Sequence, residues 1–332
     1  LPILKIIGGM DISEKRKPQD GRITLRLSGQ EMDIRVSTAP GVFGESIVMR
    51  LLPKNRGTLS LEKLGFEPDH LSLLHSWLAC PNGIVLVTGP TGSGKSTTLY
   101  AALEAMRDGS NKIITVEDPV EYQVSGVTQI QAHNEIGYTF SRALRAILRQ
   151  DPDTIMIGEI RDLDTAQIAI QSALTGHLVL STLHTNDAAS AFTRLVDMGL
   201  EPFLVAASVR GVQAQRLVRR LCEQCAVDDD HPLLPQGWSI SQPAFSAANW
   251  KKAMGCSHCH HTGYRGRLGI YELVALDGAL QQLVNRQAPL QEIKSLIRQQ
   301  GQRTLFEDGL IKASRGLTSI EEVMRVAYVE HD

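Results

Sequence analysis

The octapeptide Gly89-Pro90-Thr91-Gly92-Ser93-Gly94-Lys95-Ser96 limits the possible folds of this chain more than any other stretch. It matches G-x-x-x-x-G-K-[ST], with the apolar run Ile84–Val87 before it and a helical run from Thr97 to Met106 after it. The spacing predicts a strand, a glycine-rich loop and a helix in that order, which is the context the pattern requires; a chance glycine-rich turn would not carry both neighbours. Glycines let backbone amides close around phosphate oxygens, Lys95 brings positive charge to the outer phosphates of a nucleotide, and Ser96 offers a hydroxyl to magnesium. Thr97, at the head of the helix, completes the predicted nucleotide-binding stretch. Further short apolar runs, Ile113–Val116, Ile155–Ile157 and Leu178–Ser181, alternate with amphipathic segments, which predicts an α/β domain with a mostly parallel sheet.

A phosphate loop binds nucleotide without hydrolysing it, so any chemistry needs carboxylates within reach. Two predicted strands end in acids: Ile113-Ile114-Thr115-Val116-Glu117-Asp118-Pro119-Val120-Glu121 and Thr154-Ile155-Met156-Ile157-Gly158-Glu159. The carboxyl ends of parallel strands are where such sheets bind ligands. One carboxylate must lie near an attacking water and another can hold magnesium through coordinated water; Glu117 and Glu121 are assigned jointly to the first task and Glu159 to the second. His184 ends the strand-like run Leu178–Ser181 plus Thr182-Leu183, so it either contacts the γ-phosphate region or packs as an ordinary capping residue. His177, at the head of that run, is weaker by position, and Arg145, Arg149 and Arg161 read as structural ion pairs.

With 332 residues, 42% hydrophobic and 21% charged, the chain can bury the cores of more than one domain. Residues 1–56 form one expected domain, small, α/β and rich in strand. There Ile23, Leu25 and Leu27 alternate before a Ser28-Gly29-Gln30 turn, and Met32, Ile34 and Val36 alternate after it, predicting a hairpin buried on one face. Its other face carries Arg22, Thr24 and Arg26 beside Asp33 and Arg35, and a third run, Ser46–Leu52, adds Arg50. Pro53-Lys54-Asn55-Arg56-Gly57 reads as a linker, and residues 57–332 as the second domain, ending in helices over about 276–332. The formal net charge of -2 gives no electrostatic reason to expect nucleic acid or an anionic membrane as main partner. Neither a long apolar run nor a signal peptide is present, which reads as cytoplasmic. The start at Leu1-Pro2-Ile3-Leu4 reads as a fragment, incomplete at its beginning.

Cys222-Glu-Gln-Cys225 and Cys256-Ser-His-Cys259 are two CxxC pairs, within a module spanning about 220–265. Four thiolates suit a closed tetrahedral zinc site, and a closed site leaves no open position for catalysis, so its role is structural. His258, His260 and His261 lie close enough in sequence to compete. Cys80 stands alone and is expected to be a buried small residue.

Taken together, Gly89 to Ser96, Ile114 to Tyr122, Leu148-Arg149-Gln150-Asp151-Pro152-Asp153 leading into Gly158-Glu159-Ile160-Arg161-Asp162, and Thr175-Gly176-His177 to Asn186 resemble the secretion ATPase superfamily, as its Walker A, Asp box, atypical Walker B and His box. The resemblance runs through essentially the whole chain. It implies a RecA-like core, ATP as substrate, Mg2+ and Zn2+, and a homohexamer in which the N-terminal domain packs on the RecA-like domain of its own or a neighbouring subunit. The stretches Gln19-Asp20-Gly21-Arg22 and Asp33-Ile34-Arg35-Val36-Ser37-Thr38 match those that carry the family's arginine fingers, which brings forward Arg22 and Arg35, with Arg50 behind them. The cysteine insertion is similar to that of the assembly ATPases of type II secretion and type IV pili. The implied function is therefore an ATP hydrolase powering pseudopilus assembly in type II secretion, with type IV pilus assembly as the alternative. Implied partners are an inner-membrane platform and cytoplasmic-domain proteins of that machine, through which the chain attaches peripherally to the inner membrane. An ATP-driven nucleic-acid translocase, gripping DNA or RNA through the zinc module, is the rival from another class, although no nucleic acid is expected on charge.

Overall fold

The computed structural model describes residues 1–27, 30–53, 59–133, 136–234 and 248–327. The expected turn at Ser28-Gly29, linker residues 54–57, the stretch 235–247 inside the cysteine module and the end of the C-terminal helical region, 328–332, lie outside the described residues. The chain forms two compact units, Leu1–Leu59 with Glu121–Gln123, and Ser60–Val120 with Val124–Asp332.

The first unit holds a short helix α1 (Pro2–Ile7) and an antiparallel sheet of β1 (Gln19–Leu27), β2 (Gln30–Gly41) and β3 (Gly44–Pro53). Alternation decides its faces: Ile23, Ile34 and Val36 are buried with Met10, whereas Leu25, expected on the same buried face, is exposed, because the cluster ends at Met32 and Ile47 and does not extend to it. Lys5 is buried in an ion pair with Glu45 and donates to the Glu14 carbonyl at 2.8 Å, which pins α1 to the sheet.

The second unit comprises α2 (Pro68–Leu78), β4 (Gly83–Thr88), α3 (Lys95–Met106), β5 (Ile113–Glu117), β6 (Thr128–Gln131), α4 (Phe140–Ile147), β7 (Thr154–Ile157), α5 (Leu163–Leu174), β8 (Leu178–Leu183), α6 (Ala189–Asp197), α7 (Pro202–Ser208), β9 (Val209–Leu221), β10 (Val227–Asp228), β11 (Lys251–Lys252), β12 (Tyr264–Ala275), α8 (Gly278–Asn285), α9 (Leu290–Gln299), α10 (Leu305–Ser314) and α11 (Ile320–Ala327). Its seven-stranded sheet has the order β12-β9-β4-β8-β7-β5-β6. Every neighbouring pair runs parallel except β12 with β9. The expected mostly parallel sheet is thus the one found, and helices α8 to α11 fall in the expected C-terminal helical region. Strands β4, β5, β7 and β8 are buried along their whole length, as a sheet covered on both faces demands. Ile84, Leu86, Ile155, Ile157 and Val179 join α5, α6 and α9 in one apolar core.

A buried charged network fastens the C-terminal helices to the sheet. Lys312 pairs with Asp308 one helical turn away, and Asp308 accepts from the Tyr271 amide at 2.9 Å. Tyr271 stacks on Phe66 at 3.7 Å and donates its hydroxyl to the Leu64 carbonyl at 2.9 Å. His70 lies 3.8 Å from Asp308; burial, then Arg303, pushes its imidazole down to about 4, so it stays neutral. Glu322 binds Arg219 and Arg325; burial opposes its charge, but these cations hold its carboxyl down at about 2.

Gly211 on β9 sits under the indole of Trp77 from α2: an added Cβ would lie 2.3 Å from Trp77 Cζ2. Replacing Gly211 by Ala forces ring or strand to shift, and the expected cost is about 1–3 kcal/mol, seen as a lower denaturation midpoint. Gly278→Ala, where no atom lies within 4 Å of the new methyl, is the control and is expected to stay within about 0.5 kcal/mol. Equal midpoints for the two variants would contradict this packing.

Candidate functional site

The parallel register fixes the site before any side chain is considered. Because β4, β8, β7 and β5 are consecutive neighbours running the same way, their carboxyl ends share one edge of the sheet. From that edge emerge, in order, the loop Gly89–Gly94, His184, Glu159 and Glu117. In the loop, Gly89, Gly92 and Gly94 have φ of 151°, 82° and 91°, a region that favours glycine. The chain then enters α3, whose first amides have no partner in the helix and point at the loop's hollow. Lys95 folds back and donates to the carbonyls of Gly89 at 2.8 Å and Pro90 at 3.0 Å, while Ser96 is exposed beside it. Burial pushes the Lys95 ammonium down, and the charge of Glu159 counteracts this.

Glu159 is held by Arg161 at 2.5 Å and by His184 Nε2 at 3.5 Å. The strand end carrying His184 is tied to the loop strand: Thr88 Oγ1 lies 2.7 Å from Thr185 Oγ1 and accepts from the Thr185 amide at 2.9 Å. His177 is not part of this edge. It precedes β8 at the opposite end and lies 2.9 Å from the Ser172 carbonyl, closing the end of α5. Arg145 pairs with Asp164 at 2.6 Å and Arg149 donates to the Arg145 carbonyl at 2.9 Å, as structural pairs, whereas Arg161 engages a site acid.

The two Asp-box glutamates have different surroundings. Glu117 is buried and accepts from the hydroxyls of Tyr100 and Thr115, the latter at 2.6 Å, and from Gln129 at 3.1 Å. Glu121, in the first unit, is about a third exposed and lies 3.4 Å from Arg35. In that unit's sheet Arg22 stands opposite Arg35, and Arg35 opposite Arg50, so the three arginines form one row across the strands. Like charges directly opposite repel. Arg22 is balanced by Asp33, which also accepts from Thr24 at 2.7 Å, and Arg35 by Glu121. Arg50, behind the other two on sequence, completes the row.

Several residues at this edge were not legible as site residues. On β9, Gln213 and Gln215 are buried beneath the loop, and Arg216 donates to the Asn186 carbonyl at 2.9 Å. Asp187 pairs with Lys294 of α9 at 2.7 Å; burial pushes its carboxyl up, but Lys294 and Ser190 outweigh this and hold it low. Glu272 accepts from the Ala188 amide at 2.9 Å and is pushed up to about 7 by burial. The available signal was the alternation Gln213-Ala214-Gln215, uncharged polar residues at period two directly after the apolar Val212.

The cysteines form a separate centre at the far ends of β9 and β12. The Sγ atoms of Cys222, Cys225, Cys256 and Cys259 all lie within 4.8 Å of one another. Neighbouring sulfurs are 3.8–3.9 Å apart, against about 3.8 Å for the edge of a tetrahedron with zinc–sulfur bonds of about 2.3 Å. Amides of Gly255, Cys256 and Gly263 donate to Cys225 and Cys259 sulfurs at 3.1–3.3 Å, which stabilises thiolate charge. The donor set therefore fits a closed metal site. His258 is taken by Arg265, and His260 and His261 are exposed, so none displaces a sulfur. Cys80 is half-buried and leans on the Ser76 carbonyl at 3.4 Å; its place at the end of α2 keeps it from the core expected for it.

The sequence profile of the family described as "Type II/IV secretion system protein" matches residues 2–325. The chain is 55% identical over 323 residues to the type II secretion system protein HxcR of Pseudomonas aeruginosa, covering 97% of this chain and 65% of that protein. It is 48% identical to the type IV pilus assembly ATPase PilB of Thermus thermophilus, covering 98% of this chain and 37% of that protein. The chain thus spans less than two thirds of the length of these relatives. Among solved structures, the pilus retraction motor PilT with bound ADP aligns with a TM-score of 0.67 and 28% identity, covering 93% of this chain and 77% of that one.

The sulfur geometry predicts about one zinc per chain, released on treating the protein with a mercurial in the presence of a chromogenic chelator. Cys256→Ser is expected to lose most of that zinc and to melt at a lower temperature. Protein purified without added metal that carries no zinc and melts identically with and without chelator would refute the site.

Proposed function

The chain belongs to the type II/IV secretion system protein family, and on that premise we propose that it is a magnesium-dependent ATP hydrolase that powers pseudopilus assembly in type II secretion. The observation that carries this reading is the common sheet edge on which the Gly89–Ser96 loop, His184, Glu159 and Glu117 emerge from adjacent parallel strands. Loop amides and Lys95, whose ammonium lies within the loop against the Gly89 and Pro90 carbonyls, hold the phosphates. Magnesium, held through Ser96 and the water-linked Glu159, would neutralise charge between the outer phosphates. Glu117 and Glu121 together serve the attacking water: Glu117 is the buried, hydrogen-bonded member and Glu121 the accessible one. His184, against Glu159, orients that carboxylate and reaches towards the γ-phosphate.

The arginine row supports a second half to the mechanism. Three guanidiniums aligned across a sheet, balanced by Asp33 and Glu121, form a surface prepared for additional anionic charge. We assign Arg22 and Arg35 as arginine fingers, with Arg50 in the same row, that meet the developing phosphate charge in a hexamer of this chain. ATP-driven movement of the small unit against the core would then do work on an inner-membrane platform and the cytoplasmic-domain proteins of the machine, keeping the chain peripheral to that membrane. Pilus assembly is the second reading, supported by the 48% identity to PilB. Capture of a secretion-type or pilus-type inner-membrane partner by the protein distinguishes the two.

Phosphate release per protomer with Mg-ATP is expected to rise with protein concentration, because the fingers require assembly. Arg35→Ala is expected to lower it by about 10³-fold, Lys95→Ala to abolish nucleotide binding, and Glu159→Gln to keep binding while turning over slowly. Specific activity independent of concentration together with an active Arg35→Ala would remove the finger assignment. An active Lys95→Ala would remove the ATPase reading itself.

A further inference from the structure

Gln215 lies in the middle of β9, 1% exposed, in a strand whose motifs carry no assigned role. A glutamine so deeply buried is costly unless every polar atom is matched. Its Nε2 donates to the Ser93 carbonyl at 2.8 Å, and its Oε1 accepts from Thr98 Oγ1 and from Gln213 Nε2, each at 2.9 Å. Ser93 belongs to the phosphate loop and Thr98 to the first turn of α3. One carboxamide thus spans the junction at which the loop becomes the helix.

The backbone of β9 closes on the loop as well. A Cβ at Gly89 would meet the Gln215 carbonyl oxygen at 2.6 Å, and one at Gly94 would meet Gln215 Nε2 at 3.2 Å. The contact with Ser93 has a directional consequence. In a trans peptide the carbonyl and the following amide point in opposite directions. Holding the Ser93 carbonyl down on Gln215 therefore turns the Gly94 amide up, towards the hollow where phosphate binds. No apolar residue of the same size can do this, because the loop needs a donor from below while Thr98 needs an acceptor.

We propose that Gln215, supported by Gln213, is a positioning residue that fixes the phosphate loop in its anion-binding conformation by holding the Ser93 carbonyl and the Thr98 hydroxyl. This inference rests on the reading of Gly89–Ser96 as a nucleotide phosphate loop. It names a residue outside the loop on which the loop's affinity depends.

The test is the Kd of a fluorescent ATP analogue with magnesium for the wild-type chain, Lys95→Ala, Gln215→Met and Gln215→Glu, with the melting temperature of each nucleotide-free protein measured alongside. Gln215→Met keeps the volume and removes the amide; it is expected to weaken binding about tenfold to a hundredfold while the nucleotide-free melting temperature changes little. Gln215→Glu sets a carboxylate against the Ser93 carbonyl and is expected to bind more weakly still at pH 8. Its affinity recovers towards wild type as the pH falls to 6, because the protonated acid regains a donor. A purely structural role would give that rescue only together with an equal recovery of the nucleotide-free melting temperature, whereas the positioning role recovers affinity without it. Wild-type affinity in Gln215→Met, or loss of affinity matched by collapse of the nucleotide-free melting temperature in both variants, overturns the inference alone. Equal, weak binding by wild type and Lys95→Ala overturns the phosphate-loop reading and this inference with it.

Discussion

The hydrogen-bonded insertion of β4 between β8 and β9 is the constraint on which the second unit depends. Strand β4 is buried on both faces, and its register is held at its carboxyl end, where Thr88 Oγ1 donates to the carbonyls of Leu183 and Thr185, each at 3.2 Å. Pairing of Thr88 with Leu183 on one side and with Ala214 on the other fixes the level at which β4 and β8 leave the sheet and β9 passes them. The loop, the His184 segment and the two glutamines of β9 are all referenced to that level. The site is therefore set by strand register, and side-chain contacts such as Thr88 with Thr185 lock the arrangement in place.

Strand β9 carries this constraint outward. It lies under the phosphate loop at Gln215, runs on to Leu221, and is followed at once by Cys222. Strand β12 begins five residues after Cys259 and carries Glu272 back to the Ala188 amide. The cysteine centre thus ties together the outer ends of an antiparallel pair whose middles, at Gln215 and Glu272, meet the sheet edge that carries the loop. Arg219 and Glu322 brace the same pair from α11, and the Tyr271–Asp308–Lys312 network braces it from α10. Buried ions of this kind contribute little net stability against an apolar replacement. They do demand one arrangement of partners, which suits a part of the fold where register matters.

The sequence was informative where the chemistry is local in the chain. The phosphate loop and the CxxC pairs place their functional atoms within a few residues, so spacing alone implies geometry. The parallel strands were visible because their apolar runs are short and bounded by acids, glycines and amphipathic helices. The hairpin alternation put Arg22 and Arg35 on one face, and the register sets them directly opposite each other. What spacing could not reveal was anything that depends on the third strand or on partners far along the chain. Arg50 joins the row only through the β2–β3 register, and Gln215 meets Ser93 across 122 positions. Glu117 and Glu121 looked equivalent in sequence, yet three donors surround one and an arginine faces the other.

The two acids differ in what holds them. Glu117 is anchored to the core by Tyr100 on α3, Thr115 on its own strand and Gln129 on β6, so its position follows the sheet. Glu121 is four residues further along the chain but belongs to the first unit, where Arg35 is its neighbour. The accessible acid and the arginine row are therefore built into one compact unit, and the buried acid, the loop and Glu159 into the other, so a substitution in the arginine row leaves the hydrogen bonds around Glu117 untouched.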